Sequence, residues 1–84
     1  MNRKEFVEEI AKKKGKSKAQ AYRAVNTVMD TLRLVMMQGE SVEIGGFGTF
    51  LVMTDLKGER IPTFSGGRTL RRVINTLNTM EDEY

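Results

Sequence analysis

At Gly39 the spacing of apolar residues switches from a helical period to a strand period, which excludes both an all-helical and an all-strand chain. Before it, Ala21, Val25, Val28, Leu32 and Val35 recur in alternating steps of four and three, one side of a helix over about residues 18–38. Ala24, Met29 and Met36 widen that stripe, and Gly39 is the left-handed residue that closes such a helix. After it, Val42 and Ile44 alternate with Ser41 and Glu43, as in a strand with unlike faces. The stripe has the spacing of a coiled-coil seam but spans too few heptads to form one.

Other elements follow from local signals. Asn2 with Glu5 is a capping-box-like start for a first helix, whose Phe6, Val7, Ile10 and Ala11 share a face. Gly15 breaks that helix near residue 14, and Ser17 with Gln20 is a second capping box. Gly45-Gly46 turns the chain into a second strand, about residues 47–55, with Phe50 and Val52 on one face and Leu51 and Met53 on the other. Leu56-Lys57-Gly58-Glu59 reads as a tight connection with Gly58 at positive φ. The return strand, Arg60 to Phe64, holds Pro62, the only proline, which belongs on an edge or at a bulge. Ser65 is expected to cap a third helix over about residues 66–79, with Leu70, Val73, Ile74 and Leu77 as its apolar face. The order is α-α-β-β-β-α, an α+β chain without repeats: a single domain over 1–80 and a short acidic tail over 81–84.

At 84 residues, a core built from one chain is marginal. The chain has no cysteine and no histidine, so disulfides are impossible and the common zinc ligands are missing. Association of chains is the remaining remedy. The long helix's stripe is wider than the first helix can cover, and a second copy is its natural partner. Met29, Met36, Met37 and Met53 suit an adaptable core or interface. There is no secretory h-region and no apolar run long enough for a bilayer, so a soluble, cytoplasmic chain without membrane partners is expected.

Lack of histidine also removes the usual acid–base group near neutral pH. No Walker-type phosphate loop, no carboxylate cluster for metal and no nucleophile–base pair can be read. The expectation is a non-enzyme with no catalytic residue, no metal and no cofactor. Charge is more informative. Lys12, Lys13, Lys14, Lys16, Lys18 and Arg23 follow one another with no acid among them, although lysines at a helix C-terminus satisfy the macrodipole without a ligand. Omitting Glu81, Asp82 and Glu83 raises the formal charge from +3 to +6. In Ser65-Gly66-Gly67-Arg68-Thr69-Leu70-Arg71-Arg72, three arginines crowd a helix start whose free N–H groups and partial positive charge suit a phosphate. Gly66 and Gly67 would let that phosphate approach the backbone. Arg68, Arg71 and Arg72 share one side of the helix, which a simple solvated face would also show.

Met1-Asn2-Arg3-Lys4, Ser17-Lys18-Ala19-Gln20-Ala21, Gly46-Phe47-Gly48-Thr49-Phe50, Pro62-Thr63-Phe64 and Gly67-Arg68-Thr69-Leu70 occur in the order of a known family. Over nearly its whole length the chain resembles the bacterial histone-like DNA-binding family, HU and integration host factor. The resemblance implies an intertwined dimer, a helical base under a β-saddle, found in bacteria or phage and associated with the nucleoid. It implies an architectural protein that binds double-stranded DNA through phosphates, with a homodimer core including Val25, Val28, Leu32, Val35, Phe47 and Phe50. The residues it implies at DNA are Arg3, Lys4, Gly46, Phe47, Gly48, Arg68, Arg71 and Arg72.

One departure is plain. Family members extend the second and third strands into a long basic arm whose tip proline wedges a base step. Here only Thr54 to Arg60 lie between the strand bodies, with Asp55 and Glu59 balancing Lys57 and Arg60. Pro62 matches the proline leading into the last helix. A short hairpin, low sequence specificity and reduced bending are therefore expected. The alternative is an arm-less interaction module that heterodimerises with a full-length HU-type protein or docks on another protein.

Overall fold

The computed structural model describes residues 1–82, with side-chain surroundings for residues 1–76. It divides within its long helix into two compact units, one spanning Met1–Leu34 and one beginning at Val35. The first unit holds α1 (Arg3–Lys14) and most of α2 (Lys18–Met37). Both capping boxes form. Asn2 Oδ1 accepts the Glu5 N–H at 2.9 Å while the Asn2 N–H donates to Glu5 Oε1 at 3.3 Å. Ser17 Oγ accepts the Gln20 N–H and Gln20 Oε1 accepts the Ser17 N–H, each at 3.1 Å. Gly15, at φ 62°, ends α1 in the left-handed region. Val7, Ala21 and Val25 are the buried apolar residues among those described, with Ile10 and Ala11 packed against them.

In the second unit, the Glu40 N–H reaches back to the Val35 carbonyl at 3.3 Å, and Gly39 (φ 80°) closes α2. Strands β1 (Val42–Ile44), β2 (Gly48–Thr54) and β3 (Arg60–Gly66) form an antiparallel sheet in the order β1-β2-β3. Gly46, at φ 81°, turns β1 into β2, with the Phe47 N–H donating to the Ile44 carbonyl at 3.0 Å. As expected, Pro62 lies on an edge strand, opposite Val52, where its missing N–H disturbs no central ladder.

The end of β3 departs from the local pattern. Ser65 does not cap the last helix; it pairs with Thr49, and Gly66 pairs with Gly48. The helix, α3 (Arg68–Asp82), begins two residues beyond Gly66. Crowding explains the continuation. A Cβ on Gly48 would collide with the Ser65 carbonyl oxygen and would lie 2.7 and 2.9 Å from carbons of the Phe64 ring. Glycine there admits close strand pairing, and the ladder runs through the serine. At its other end α3 takes in Glu81 and Asp82; the Leu77 side chain and Glu83 and Tyr84 lie outside the described residues.

Of the expected dimer-core set, Val25 is buried in the single chain, Leu32, Val35 and Phe50 are half-buried, and Val28 and Phe47 are exposed.

Candidate nucleic-acid interface

In the second unit, the β1–β2 turn is joined to the start of α3 by one backbone bond, from the Gly67 N–H to the Phe47 carbonyl at 2.9 Å. A Cβ on Gly67 would stand 3.3 Å from that same oxygen, so little more than a glycine fits this junction. Phe47, Phe50 and Phe64 brace it from the sheet side: the Phe64 ring centroid lies 5.3 Å from that of Phe47 and 4.8 Å from that of Phe50. Between turn and helix is an open depression of about 210 Å³, lined among others by Gly46, Phe47, Gly48 and Arg68. Four of the eight residues expected at DNA are thereby brought together.

Gly66 and Gly67 are placed differently from the expected pair of helix-start glycines. Gly66 belongs to β3, and the Gly67 N–H is committed to Phe47. The missing side chain of Gly67 serves the turn–helix junction, whereas a Cβ on Gly66 would make only ordinary contacts, at 3.9 Å, with Leu70 and Phe64. The donors left at the helix start are the N–H groups of Arg68, Thr69 and Leu70, ahead of the first helical bond from the Arg71 N–H to the Gly67 carbonyl (3.0 Å).

Arg68, Arg71 and Arg72 are all exposed. The ion pairs among the described residues are Lys13–Glu9 at 3.7 Å and Arg33–Asp30 at 3.4 Å, so none of these three arginines has a carboxylate partner there. The first turn of α3 contains no acid. Three cations at the positive end of a helix dipole repel one another and the dipole, a cost that a bound anion removes. The chemistry on offer is charge-assisted hydrogen bonding to phosphate oxygens.

Arg3 and Lys4 belong to the helical unit. The Arg3 guanidinium donates through Nη1 to Asn26 Oδ1 at 3.1 Å, which ties it to α2 while leaving its other donors. Lys4 is exposed.

Two residues of the second unit do more than their types announced. Asp55 organises the β2–β3 turn: its Oδ1 accepts the N–H groups of Lys57 and Glu59, each at 2.9 Å, and its own N–H donates to the Glu59 carbonyl at 2.9 Å. An aspartate opening a glycine-containing turn is the available signal. Arg60 donates through Nη2 to the carbonyls of Met36 (3.2 Å) and Met37 (3.1 Å). Its charge thus caps α2, whose own last turn has no basic residue. The expected charge balance within the hairpin is not one of ion pairs, since neither Lys57 nor Arg60 bridges to Asp55 or Glu59. No sequence signal marks a contact made across more than twenty positions.

Among the described residues no cluster of side chains could hold a metal ion, and no helix is long and apolar enough to cross a membrane.

Residues 1–61 match the family profile described as Bacterial DNA-binding protein. The "DNA-binding protein HU" of Buchnera aphidicola is 32% identical over 92 residues, covering 92% of this chain and all of that one. Among solved structures, HU from Thermotoga maritima superposes with a TM-score of 0.76 at 32% identity, covering 88% of this chain and 98% of that one. An Anabaena HU–DNA cocrystal structure gives a TM-score of 0.73 at 27% identity, covering 88% of this chain and 97% of that one.

Proposed function

The chain belongs to the bacterial DNA-binding protein family of HU and integration host factor, and from its exposed arginines we propose how it holds DNA. It is an architectural DNA-binding protein and not an enzyme. Phosphates of the duplex seat at the start of α3, on Arg68, Arg71 and Arg72 and beside Gly46, Phe47 and Gly48, with Arg3 and Lys4 of the helical unit adding contacts. The observation that carries this reading is the set of three arginines without carboxylate partners among the described residues, at a helix start whose first turn has no acid, next to an open depression. None of these groups is arranged to read base edges, so sequence preference is weak.

The working form is a homodimer, associated with the nucleoid in the cytoplasm. Supporting it, Val28, Leu34, Met37, Phe47, Phe64, Val73 and Ile74 are all exposed in the single chain, and only Val7, Ala21 and Val25 are buried apolar residues among those described. Residues 1–80 act as one functional domain. The loop from Asp55 to Glu59 is too short to serve as a minor-groove arm, so the duplex is bent less than by relatives that carry one. The Buchnera relative aligns over 92 residues against the 84 of this chain, in keeping with a missing segment.

Fluorescence anisotropy with a labelled duplex in a salt series tests the reading. A dimer neutralising roughly six phosphates gives a log–log slope of about −5. The double variant Arg68→Glu, Arg71→Glu should lose duplex binding with dimerisation intact; unchanged affinity and slope would remove the proposed site.

A further inference from the structure

The β-sheet has a second apolar face that neither the phenylalanine cluster nor the arginine site uses. We propose that this face, with Leu51, Met53 and Ile61 between Glu43 at one end and Asp55 and Glu59 at the other, docks a cationic amphipathic helix of a partner protein. The proposal stands apart from the duplex site at α3.

Register sorts the side chains. Phe50 pairs with Phe64 and Val52 with Pro62, and the packed rings of Phe50 and Phe64 mark their common face. Arg60, paired with Thr54, belongs to that face too and reaches the end of α2 from it. Alternation puts the intervening pairs on the opposite face: Glu43 with Thr49, Leu51 with Thr63, and Met53 with Ile61. Met53 and Ile61 are directly opposed, and at 53% and 43% exposure neither is covered by the described chain. The sheet is therefore apolar on both sides, where a solvated face would carry polar residues.

Charge on this face has one sign. One pair beyond Thr54 and Arg60, the same alternation reaches Asp55 and Glu59, joined by the bond from the Asp55 N–H to the Glu59 carbonyl (2.9 Å). Glu43 stands at the other end, and none of the three acids forms an ion pair among the described residues. No lysine or arginine holds a paired position on this face, although the whole chain carries +3; Lys57 lies in the turn beyond it. These acids decide what can cover the patch. They repel phosphates, so a duplex does not seat here. A second copy laid face to face would set acid against acid at both ends, in either direction. Pro62 interrupts the free edge of β3, which disfavours an added strand. A helix is the other common cover for a sheet face. From the Thr49 pair to the Asp55 pair the strand runs roughly 20 Å, the length of a helix of about fourteen residues. Apolar side chains along its middle meet Met53, whose unbranched chain adapts to them, and lysines or arginines at both ends meet the acids.

The probe is a fluorescein-labelled helical peptide of about fourteen residues, with a leucine stripe and lysines at both ends; the same peptide with glutamates for lysines is its control. Anisotropy titrations compare the wild type with the pair Met53→Ser, Ile61→Thr and the pair Glu43→Gln, Glu59→Gln. Circular dichroism and sedimentation check fold and oligomeric state, and all four positions are exposed, so neither pair should disturb them. If the serine–threonine pair loses structure, the glutamine pair alone decides. The lysine peptide should bind the wild type, the glutamate peptide should not, and each variant should weaken binding about tenfold. Both variants should hold duplex DNA no more weakly than the wild type does. No binding of the lysine peptide to the wild type, or equal binding to the wild type and the glutamine pair, overturns the proposal. Weaker duplex binding by the serine–threonine pair would give the face to DNA, and a fall to monomer would give it to a second copy; either result overturns it too. The arginine site fails separately, as a wild type that binds no duplex even at low salt.

Discussion

Gly48 is the residue where chemistry is least negotiable. A methyl group there meets a backbone carbonyl and two carbons of the Phe64 ring, neither of which can swing aside like the far end of a flexible side chain. Gly48→Ala should therefore destabilise the protein by about 1–3 kcal/mol, the usual cost of overpacking, measured as a lower midpoint in urea with unchanged slope. Asp55 acts by a different route, since its carboxylate replaces a backbone acceptor for two N–H groups. Asp55→Asn keeps an acceptor oxygen and should be close to neutral, while Asp55→Ala should cost about 1 kcal/mol. Hydrogen exchange at the amides of Lys57 and Glu59 reports the loss directly, as faster exchange in the alanine variant alone.

Among the elements, those specified by near neighbours are legible in the sequence. Each capping box joins residues three apart, so Asn2–Glu5 and Ser17–Gln20 can be read with their partners. Gly39, Gly46 and Gly58 adopt positive φ at the places where the pattern changes. What the local pattern misses is set at a distance. Ser65 carries a good local helix-cap signal, but pairing with Thr49 on β2 outweighs it. The arginine cluster of the candidate site is visible in the sequence, whereas the commitment of the Gly67 N–H to Phe47 is not, because that partner lies in another turn. Arg60 reads as one charge of a balanced hairpin and is in fact the cap of α2. Arg60→Met keeps the aliphatic stem and removes the donors. It should cost about 1 kcal/mol, with helicity lost at the end of α2, and Arg60→Lys should recover part of it. Chemical denaturation together with amide exchange at Gln38 to Glu40 would show this.

For the molecule as a whole, stability belongs to the pair of chains. With few described residues buried in one chain, an isolated monomer has little to hold it folded. Unfolding should be coupled to dissociation, so Tm rises with protein concentration, by the mass-action dependence of an obligate dimer. A Tm independent of concentration across a hundredfold range would mean that each chain folds alone.

The attachment of Arg60 also has a practical meaning. It grips the end of α2 from beyond the Asp55 turn, and Leu56 at the tip is fully exposed. Residues spliced between Leu56 and Gly58 would break the bonds that Asp55 makes to the turn, at a cost of about 1 kcal/mol, but would leave the Arg60 clasp in place. The protein is thus a ready ruler: one body and one set of anchors, with an arm that can be lengthened stepwise to find how much reach a duplex needs before it yields.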